Sequence, residues 1–176
     1  EYGLNHVNWI LGDQMGLGKT KTVIDLACVR KKRGEVRQCL IICGVNTLKY
    51  NWESEIKTHS NESCYILGTR FRKNGNSYMG STQDKIEDIK TRDEFFLITN
   101  CETLVSDGFV EALRAREDID MYAVDECHKM NNGQSKRGKN FLKTADCPKF
   151  KIAMTGTPIL NSPLDAYAIL KWLGVE

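Results

Sequence analysis

The sequence lacks any long hydrophobic run. Its longest uninterrupted apolar stretches have four or five residues, such as CLIIC at Cys39–Cys43, whereas a membrane-spanning helix needs about 20. The first residues, EYGLNHVNWILGDQ, have neither a basic start nor an apolar stretch ending in small residues, so they do not resemble a secretory signal. We therefore expect a protein with no membrane partner.

The sequence also contains no pair of cysteines in a C-x-x-C arrangement, although it has seven cysteines. Their odd number and their positions inside apolar runs favour buried free thiols in a reducing compartment. Zinc is disfavoured, because His128 is the only histidine near a cysteine and no second pair lies at ligand spacing.

Neither sign of charge dominates the sequence. Twenty-five Lys and Arg against 23 Asp and Glu give a net charge of +2 over 176 residues. This balance neither requires nor excludes nucleic acid, because a local basic face can lie on a neutral domain. With 41% hydrophobic and 27% charged residues, the composition is typical of one globular domain.

Short apolar runs alternate with longer helical patterns along the chain. Strands are predicted near Val7–Leu11, Cys39–Cys43, Cys64–Leu67, Phe95–Thr99, Met121–Val124 and Lys151–Met154. Helices are predicted near Lys19–Lys32, Leu48–Thr58, Gln83–Lys90, Phe109–Arg116, Lys136–Thr144 and Pro163–Leu173. This alternation predicts an α/β fold, with a mostly parallel sheet between two layers of helices.

Two basic stretches interrupt this alternation. The segment Gly68–Ser81 (GTRFRKNGNSYMGS) is rich in Gly, Asn and basic residues, which predicts a long exposed loop. Its cations Arg70, Arg72 and Lys73 leave open a DNA-facing insertion, although an ordinary exposed loop is favoured. The run Arg30–Arg33 ends a predicted helix, where cations complement the helix dipole, and a solvated helix end is favoured over a DNA-tracking patch.

The sharpest local signal is the segment DQMGLGKT at positions 13–20, between a predicted strand and a predicted helix. Gly16 and Gly18 remove side chains, so that backbone N–H groups can point at phosphate oxygens. Lys19 can reach the β- and γ-phosphates, and Thr20 can place its hydroxyl on Mg²⁺. The predicted nucleotide-binding residues are Gln14, Met15, Gly16, Leu17, Gly18, Lys19 and Thr20. The alternative is a glycine-rich turn, because an aspartate occupies the first glycine position of G-x-x-x-x-G-K-[ST].

A second signal lies roughly 105 residues downstream, where the apolar run Met121–Val124 ends in Asp125 and Glu126. Carboxylates at the end of a buried strand are costly unless they are compensated, and a divalent cation supplies that compensation. We expect Asp125 to hold Mg²⁺, and Glu126 to orient or deprotonate the attacking water as a catalytic base. The alternative is a solvated Asp-Glu loop.

These motifs occur with three others in a known order. LIICGVNTLKYNWESEI starts at Leu40, ITNCETL starts at Ile98 and MTGTPILN starts at Met154. With D-x-M-G-L-G-K-T and D-E-x-H, they resemble the first RecA-like lobe of helicase superfamily 2, specifically the Snf-type (SWI/SNF-related) DNA-dependent ATPases. The resemblance runs from about residue 7 to the end of the sequence. Its departures, Gln14 for the usual Glu and Cys101 for the usual Tyr, remove no phosphate or metal ligand.

The resemblance implies a P-loop NTPase (RecA-like) three-layer sandwich, with residues 1–176 forming the N-terminal ATP-binding lobe. It implies ATP and Mg²⁺ as cofactors and double-stranded DNA as the track along which hydrolysis drives movement. The C-terminal RecA-like lobe of the same parent protein, with its arginine fingers, is the implied partner, so the isolated lobe is expected to be weakly active or inactive. His128 is implied to act in catalysis by coupling the acidic pair to Thr155 through a hydrogen bond, and a histidine that is merely hydrogen-bonded is the alternative.

The family's nucleic-acid contacts come mostly from loops that follow strands and point at phosphates. The matching positions, implied to contact DNA or to couple the two sites, are Gly44, Asn46, Thr47, Thr99, Asn100, Thr155, Gly156 and Thr157. Tight-turn chemistry is the alternative for each, and a coupling role is favoured for Thr155 and Thr157. Trp52 lies at helical spacing between Leu48 and Ile56, so it is expected to anchor a helix in the core rather than to stack on a base.

Three other functions stay open at this point. The parent protein could be a strand-separating superfamily 2 helicase or a restriction-type translocase subunit, although the NWESEI and ITNCETL segments argue against both. The chain alone could act only as a nucleotide- or DNA-binding module. A eukaryotic source would imply the nucleus, and a bacterial or phage source, weakly favoured by the short loops, would imply the cytoplasm.

Overall fold

The computed structural model describes residues 2–12, 17–130, 132–156 and 166–175. Its strands are β1 (Asn8–Leu11), β2 (Gln38–Cys43), β3 (Cys64–Ile66), β4 (Thr69–Phe71), β5 (Ser77–Met79), β6 (Phe96–Asn100), β7 (Ile119–Asp125) and β8 (Phe150–Met154). Its α-helices are α1 (Tyr2–Asn5), α2 (Lys19–Lys32), α3 (Leu48–His59), α4 (Thr82–Thr91), α5 (Asp107–Arg114), α6 (Lys136–Leu142) and α7 (Tyr167–Leu173). Two 3-10 helices, Cys101–Val105 and Cys127–Met130, follow β6 and β7.

Six of these strands form one parallel sheet in the order β1-β8-β7-β2-β6-β3. Helices α2 and α3 pack on one face, and α4 to α7 pack on the other. Alternate residues of β2 enter the two core layers: Leu40 joins the cluster that holds Trp172, and Ile41 joins the one that holds Trp52. The predicted three-layer α/β fold is confirmed.

The predicted elements agree closely with the observed ones. Helix α2 has the predicted bounds, and the strands of the large sheet differ from prediction by at most two residues at either end. The expected start of the last helix at Pro163 lies outside the described residues, and the described part of that helix begins at Tyr167. Within the described ranges, no helix has the length and apolar character needed to cross a membrane.

All seven cysteines are described, and each carries a free thiol. Four of them are buried, namely Cys39, Cys43, Cys101 and Cys127, and the other three are partly exposed. Burial raises the pKa of all seven thiols, and it raises that of Cys127 to about 12. The thiol form is therefore favoured near neutral pH.

The segment Gly68–Ser81 is a β-hairpin, so its prediction as a long exposed loop is wrong. Strands β4 and β5 pair antiparallel, with Thr69 opposite Met79 and Phe71 opposite Ser77. Each strand has only three residues, too few for the alternation of apolar and polar residues to be visible in the sequence. The turn contains Asn-Gly, and Gly75 adopts a left-handed backbone (φ 84°) that suits glycine.

Arg70 fixes this hairpin to helix α4. Its Nη1 donates to both carboxylate oxygens of Asp88, at 2.9 and 3.1 Å, and its Nε donates to Oδ1 of Asp84 at 3.1 Å. Asp88 is buried, with a side chain 4% exposed, and it also accepts from the backbone N–H of Gly68 at 2.7 Å. A buried carboxylate is stable only when such partners satisfy it.

We expect Arg70→Ala to lower the free energy of unfolding by about 2–3 kcal/mol, because the variant removes the hydrogen-bonded cation of the buried Asp88 carboxylate and leaves only Arg92, whose Nε lies 3.7 Å from Oδ1. Arg72→Ala is the matched control, since Arg72 is exposed and makes no ion pair in the described part of the chain. It should stay within about 0.5 kcal/mol of the parent. Urea denaturation measures both variants, and equal effects would contradict the anchoring role.

Candidate functional site

The start of helix α2 is shaped by Gly18. Its backbone is left-handed (φ 79°, ψ 22°), and helix α2 begins at the next residue, Lys19. The carbonyl of Gly18 accepts from the N–H of Thr22 at 3.0 Å and from its Oγ1 at 3.1 Å, which fixes the first turn. The first N–H groups of a helix have no intrahelical acceptor, so they and the positive end of the helix dipole suit an anion.

A cleft of about 590 Å³ lies beside this helix start. Its lining residues are Gly18, Lys19, Thr20, Lys21, Leu48, Asn51, Trp52, Ser54, Glu55, His59, Asp125 and Glu126. The structure therefore brings five predicted site residues to one cleft. They come from two segments far apart in the sequence: Gly18, Lys19 and Thr20 from one, and Asp125 and Glu126 from the other. Leu17 is exposed next to Gly18, and the predicted site residues Gln14, Met15 and Gly16 lie outside the described residues.

Asp125 is the last residue of β7, and its carboxylate is held by two donors. Oδ2 accepts from the indole N–H of Trp52 at 2.9 Å, and Oδ1 accepts from the backbone N–H of Glu126 at 2.9 Å. Asp125 is 9% exposed. A carboxylate has about four lone-pair positions, so two of them stay available to a cation in the cleft.

Trp52 has a second role, which its sequence spacing does not reveal. Its ring is buried, 1% exposed, within the core of helix α3, as the core-anchor prediction states. The same ring also carries the donor that orients Asp125. Only a chemical argument could have pointed to this bond. A buried tryptophan needs an acceptor for its N–H, and the carboxylate of Asp125 at the end of β7 supplies one.

Glu126 and Gly44 are packed tightly against each other. Glu126 is the one non-glycine residue with a positive φ (51°) in the part of the chain that the structure describes. A Cβ placed on Gly44 would lie 2.6 Å from the Cβ of Glu126 and 2.9 Å from its carbonyl oxygen. Gly44 was predicted as a DNA-contact or coupling residue, and in this structure it lets the ends of β2 and β7 approach each other.

His128 lies between the acidic pair and the end of β8. Its Nδ1 is 3.1 Å from Oε2 of Glu126 and 3.3 Å from Oγ1 of Thr155. The hydrogen bond expected between His128 and Thr155 is therefore present, and its coupling role stays a prediction. Thr155 is buried and Gly156 is partly exposed, whereas Thr157 lies outside the described residues.

The remaining predicted DNA-contact residues fall into two groups. Asn46 and Thr47 are exposed in the loop after β2, so their side chains are accessible. Thr99 and Asn100 are buried at the end of β6, and both bond to Thr103: Thr99 Oγ1 donates to Thr103 Oγ1 at 3.1 Å, and Thr103 Oγ1 donates to Asn100 Oδ1 at 2.8 Å. DNA contact by the latter pair would require their side chains to leave these internal partners.

Comparison with known proteins gives one consistent family. The family model of the SNF2-related domain matches residues 3–176. The Schizosaccharomyces pombe protein "Chromatin structure-remodeling complex subunit snf21" is 32% identical over 96% of this chain and 13% of its own length. The Arabidopsis thaliana protein "Switch 2" is 31% identical over 98% of this chain and 19% of its own length.

A solved structure of a SWI2/SNF2 ATPase has the same fold as this chain. The "Sulfolobus solfataricus SWI2/SNF2 ATPase core in complex with dsDNA" superposes with a TM-score of 0.76 at 26% identity. The match covers 99% of this chain and 33% of that one. The chain thus spans a third or less of the length of each of these three proteins, and its RecA-like fold is shown over nearly all of its own length.

We expect Trp52→Phe to destabilise the fold by about 1 kcal/mol more than Trp172→Phe. Both rings are fully buried and both lose one N–H donor, but Trp52 donates to a carboxylate whereas Trp172 donates to the Thr144 hydroxyl at 3.1 Å. A hydrogen bond to a charged group contributes about 1.5–3 kcal/mol, and a neutral one about 0.5–1.5 kcal/mol. Urea denaturation compares them, and a smaller loss for Trp52→Phe would refute the assignment.

Gly44→Ala is expected to cost about 1–3 kcal/mol, because its methyl group would overlap the backbone of Glu126 and force the ends of β2 and β7 apart. Gly12→Ala is the matched control, since a Cβ at that position would have no atom of the described residues within 4 Å. The control should change the free energy of unfolding by less than about 0.5 kcal/mol. If thermal or urea unfolding showed the two variants to be equally stable, the close approach at Gly44 would not contribute to the stability of the fold.

Proposed function

The chain belongs to the SNF2-related domain family, and from this premise we propose that residues 1–176 form the N-terminal ATP-binding lobe of a Snf-type DNA-dependent ATPase that moves along double-stranded DNA. One observation carries the proposal: Lys19 and Thr20 at the start of a helix line the same cleft as Asp125 and Glu126 at the end of a buried strand. A triphosphate with its metal ion requires this pairing of donors and carboxylates.

The donor set of the cleft fits ATP and Mg²⁺. The N–H groups at the start of α2 and the ammonium group of Lys19 would hold the phosphates. The hydroxyl of Thr20 and the carboxylate of Asp125, already oriented by Trp52, would hold the metal ion. When bound, Mg²⁺ neutralises charge that develops on the phosphate oxygens.

Glu126 is the proposed catalytic base. Its side chain is 21% exposed and lines the cleft, so it can accept a proton from a water molecule there. With a hydrogen on Nδ1, His128 would donate to Oε2 of Glu126 at 3.1 Å, leaving Oε1 for the proton. The contact of His128 with Thr155 would link this carboxylate to the loop after β8.

Double-stranded DNA is the proposed track. The similar Sulfolobus ATPase core is in complex with dsDNA, and the exposed Asn46 and Thr47 lie at the same sheet edge as the cleft. Short polar side chains in such loops suit phosphate oxygens and read no sequence. Duplex translocation is favoured over strand separation by the family membership.

Full hydrolysis is proposed to require a C-terminal RecA-like lobe of the same parent protein. Supporting this, the chain matches only 33% of the Sulfolobus ATPase core. The expected bacterial or phage cytoplasm finds no support, because the yeast relative is named as a chromatin structure-remodeling subunit and chromatin lies in the nucleus. A nuclear location, conditional on a eukaryotic source, is the one we propose.

In the full-length protein, Glu126→Gln should leave ATP affinity close to normal while turnover falls by about 10²–10⁴-fold, the usual contribution of a general base. The control is Glu55→Gln, which removes the charge of another carboxylate lining the same cleft and should change neither quantity more than about twofold. ATP binding and DNA-stimulated phosphate release are measured separately. Unchanged hydrolysis in Glu126→Gln would remove this residue from its proposed role.

A further inference from the structure

The β4–β5 hairpin presents an exposed basic tip. Residues 71–78 are all exposed, and the sequence from Thr69 to Ser81 contains three cations and no acidic residue. One of the cations, Arg70, is used inside the protein to bind α4. The other two, Arg72 and Lys73, have no acidic partner among the residues that the structure describes.

The tip is held in one conformation by its own hydrogen bonds. The N–H of Arg72 donates to the carbonyl of Asn76 at 2.9 Å, and the N–H of Gly75 donates to the carbonyl of Arg72 at 2.9 Å. The Arg72 guanidinium also lies 5.6 Å from the ring centroid of Tyr78, within cation–π range. An ordered cation loses less conformational entropy when it binds a partner.

The hairpin stands on the edge of the sheet that carries the proposed ATP and DNA sites. It follows the carboxyl end of β3, which lies three strands from β7 in the order β7-β2-β6-β3, or about 14 Å at the usual strand spacing. Its base contacts helix α3, where Nζ of Lys49 lies 3.9 Å from Sδ of Met79. The exposed loop after β2 lies between the cleft and the hairpin.

Two further lysines lie beneath the hairpin. Lys49 is buried, and Lys85 is partly buried and donates to Oδ1 of Asn100 at 3.3 Å. A Cβ on Gly68 would lie 2.8 Å from Cγ of Lys85, so the hairpin base and this lysine are in close contact. Acidic groups lie at this level as well, since Asp84 and Asp88 bind Arg70 and Glu102 acts electrostatically on Lys85, so the cations offered to a partner are the exposed Arg72 and Lys73.

We propose that the tip of the β4–β5 hairpin binds the phosphate backbone of double-stranded DNA through Arg72 and Lys73. This inference rests on the proposed function and extends the DNA-binding surface beyond Asn46 and Thr47 to the far end of the sheet edge. Charge complementarity carries it, because two exposed cations on a hydrogen-bonded turn, with no acidic partner among the described residues, match a polyanion. Such contacts position the duplex without reading its sequence.

The test compares two double variants of the full-length protein. Arg72→Ala with Lys73→Ala removes the charge of the tip, whereas Lys32→Ala with Arg33→Ala removes the same charge at the end of α2, next to the amino ends of the strands. Affinity for a fluorescent duplex of mixed sequence is measured across a salt titration. The slope of log K against log salt should become shallower by about 1.8 in the hairpin variant, roughly 0.9 for each lost phosphate contact, and stay at the parent value in the control.

The outcomes separate the two proposals. If the parent binds the duplex and the hairpin variant keeps the parent's slope and affinity, the hairpin inference is wrong while the proposed function stands. If the parent itself binds no duplex, the proposed function fails and the inference fails with it. Loss of affinity for an acidic peptide, with duplex binding unchanged, would make the hairpin a protein-docking element and also overturn the inference. Unfolding measurements on the hairpin variant check that it remains folded.

Discussion

The candidate site depends on a buried carboxylate at the end of β7 that is held by donors from two parts of the chain. The indole N–H of Trp52 and the backbone N–H of Glu126 each bind one oxygen of Asp125, at 2.9 Å. Burying this charge with no partner would be costly. Because the two bonds satisfy only half of its lone-pair positions, the carboxylate is fixed in direction and keeps acceptor capacity on the side of the cleft.

The parallel sheet also explains why the proposed nucleotide site and the proposed DNA-contact loops lie next to each other, at the carboxyl ends of the strands. In parallel strands the carboxyl ends point one way, so β8, β7, β2, β6 and β3 deliver their following loops along a single line. The close approach at Gly44 brings the β2 and β7 ends together, and His128 connects Glu126 with Thr155 on the β8 side. A movement of Asp125 or Glu126 would therefore be transmitted by direct contacts to the loop after β2 and to the loop after β8.

Much of this arrangement could be predicted from the sequence, because the strands are continuous apolar runs and helix α2 starts at a glycine-rich segment. The second role of Trp52 was missed because its deciding contact joins distant residues. The bond between Trp52 and Asp125 spans 73 positions, and no local pattern encodes it. The hairpin was missed because its strands have three residues each and its Gly and Asn content is also typical of loops.

The polar residues of the carboxyl edge divide into those satisfied inside the protein and those that are not. Thr99 and Asn100 look similar in sequence to Asn46 and Thr47, yet the 3-10 helix after β6 supplies Thr103 as an internal partner for the first pair. A polar group that already has buried partners gains little by exchanging them for a phosphate. Within the described ranges, the exposed side chain of Asn46 and the two cations of the hairpin tip have no such buried partners to lose. Among the three neighbouring loops after β2, β6 and β3, those after β2 and β3 therefore suit the proposed polyanion better than the loop after β6 between them.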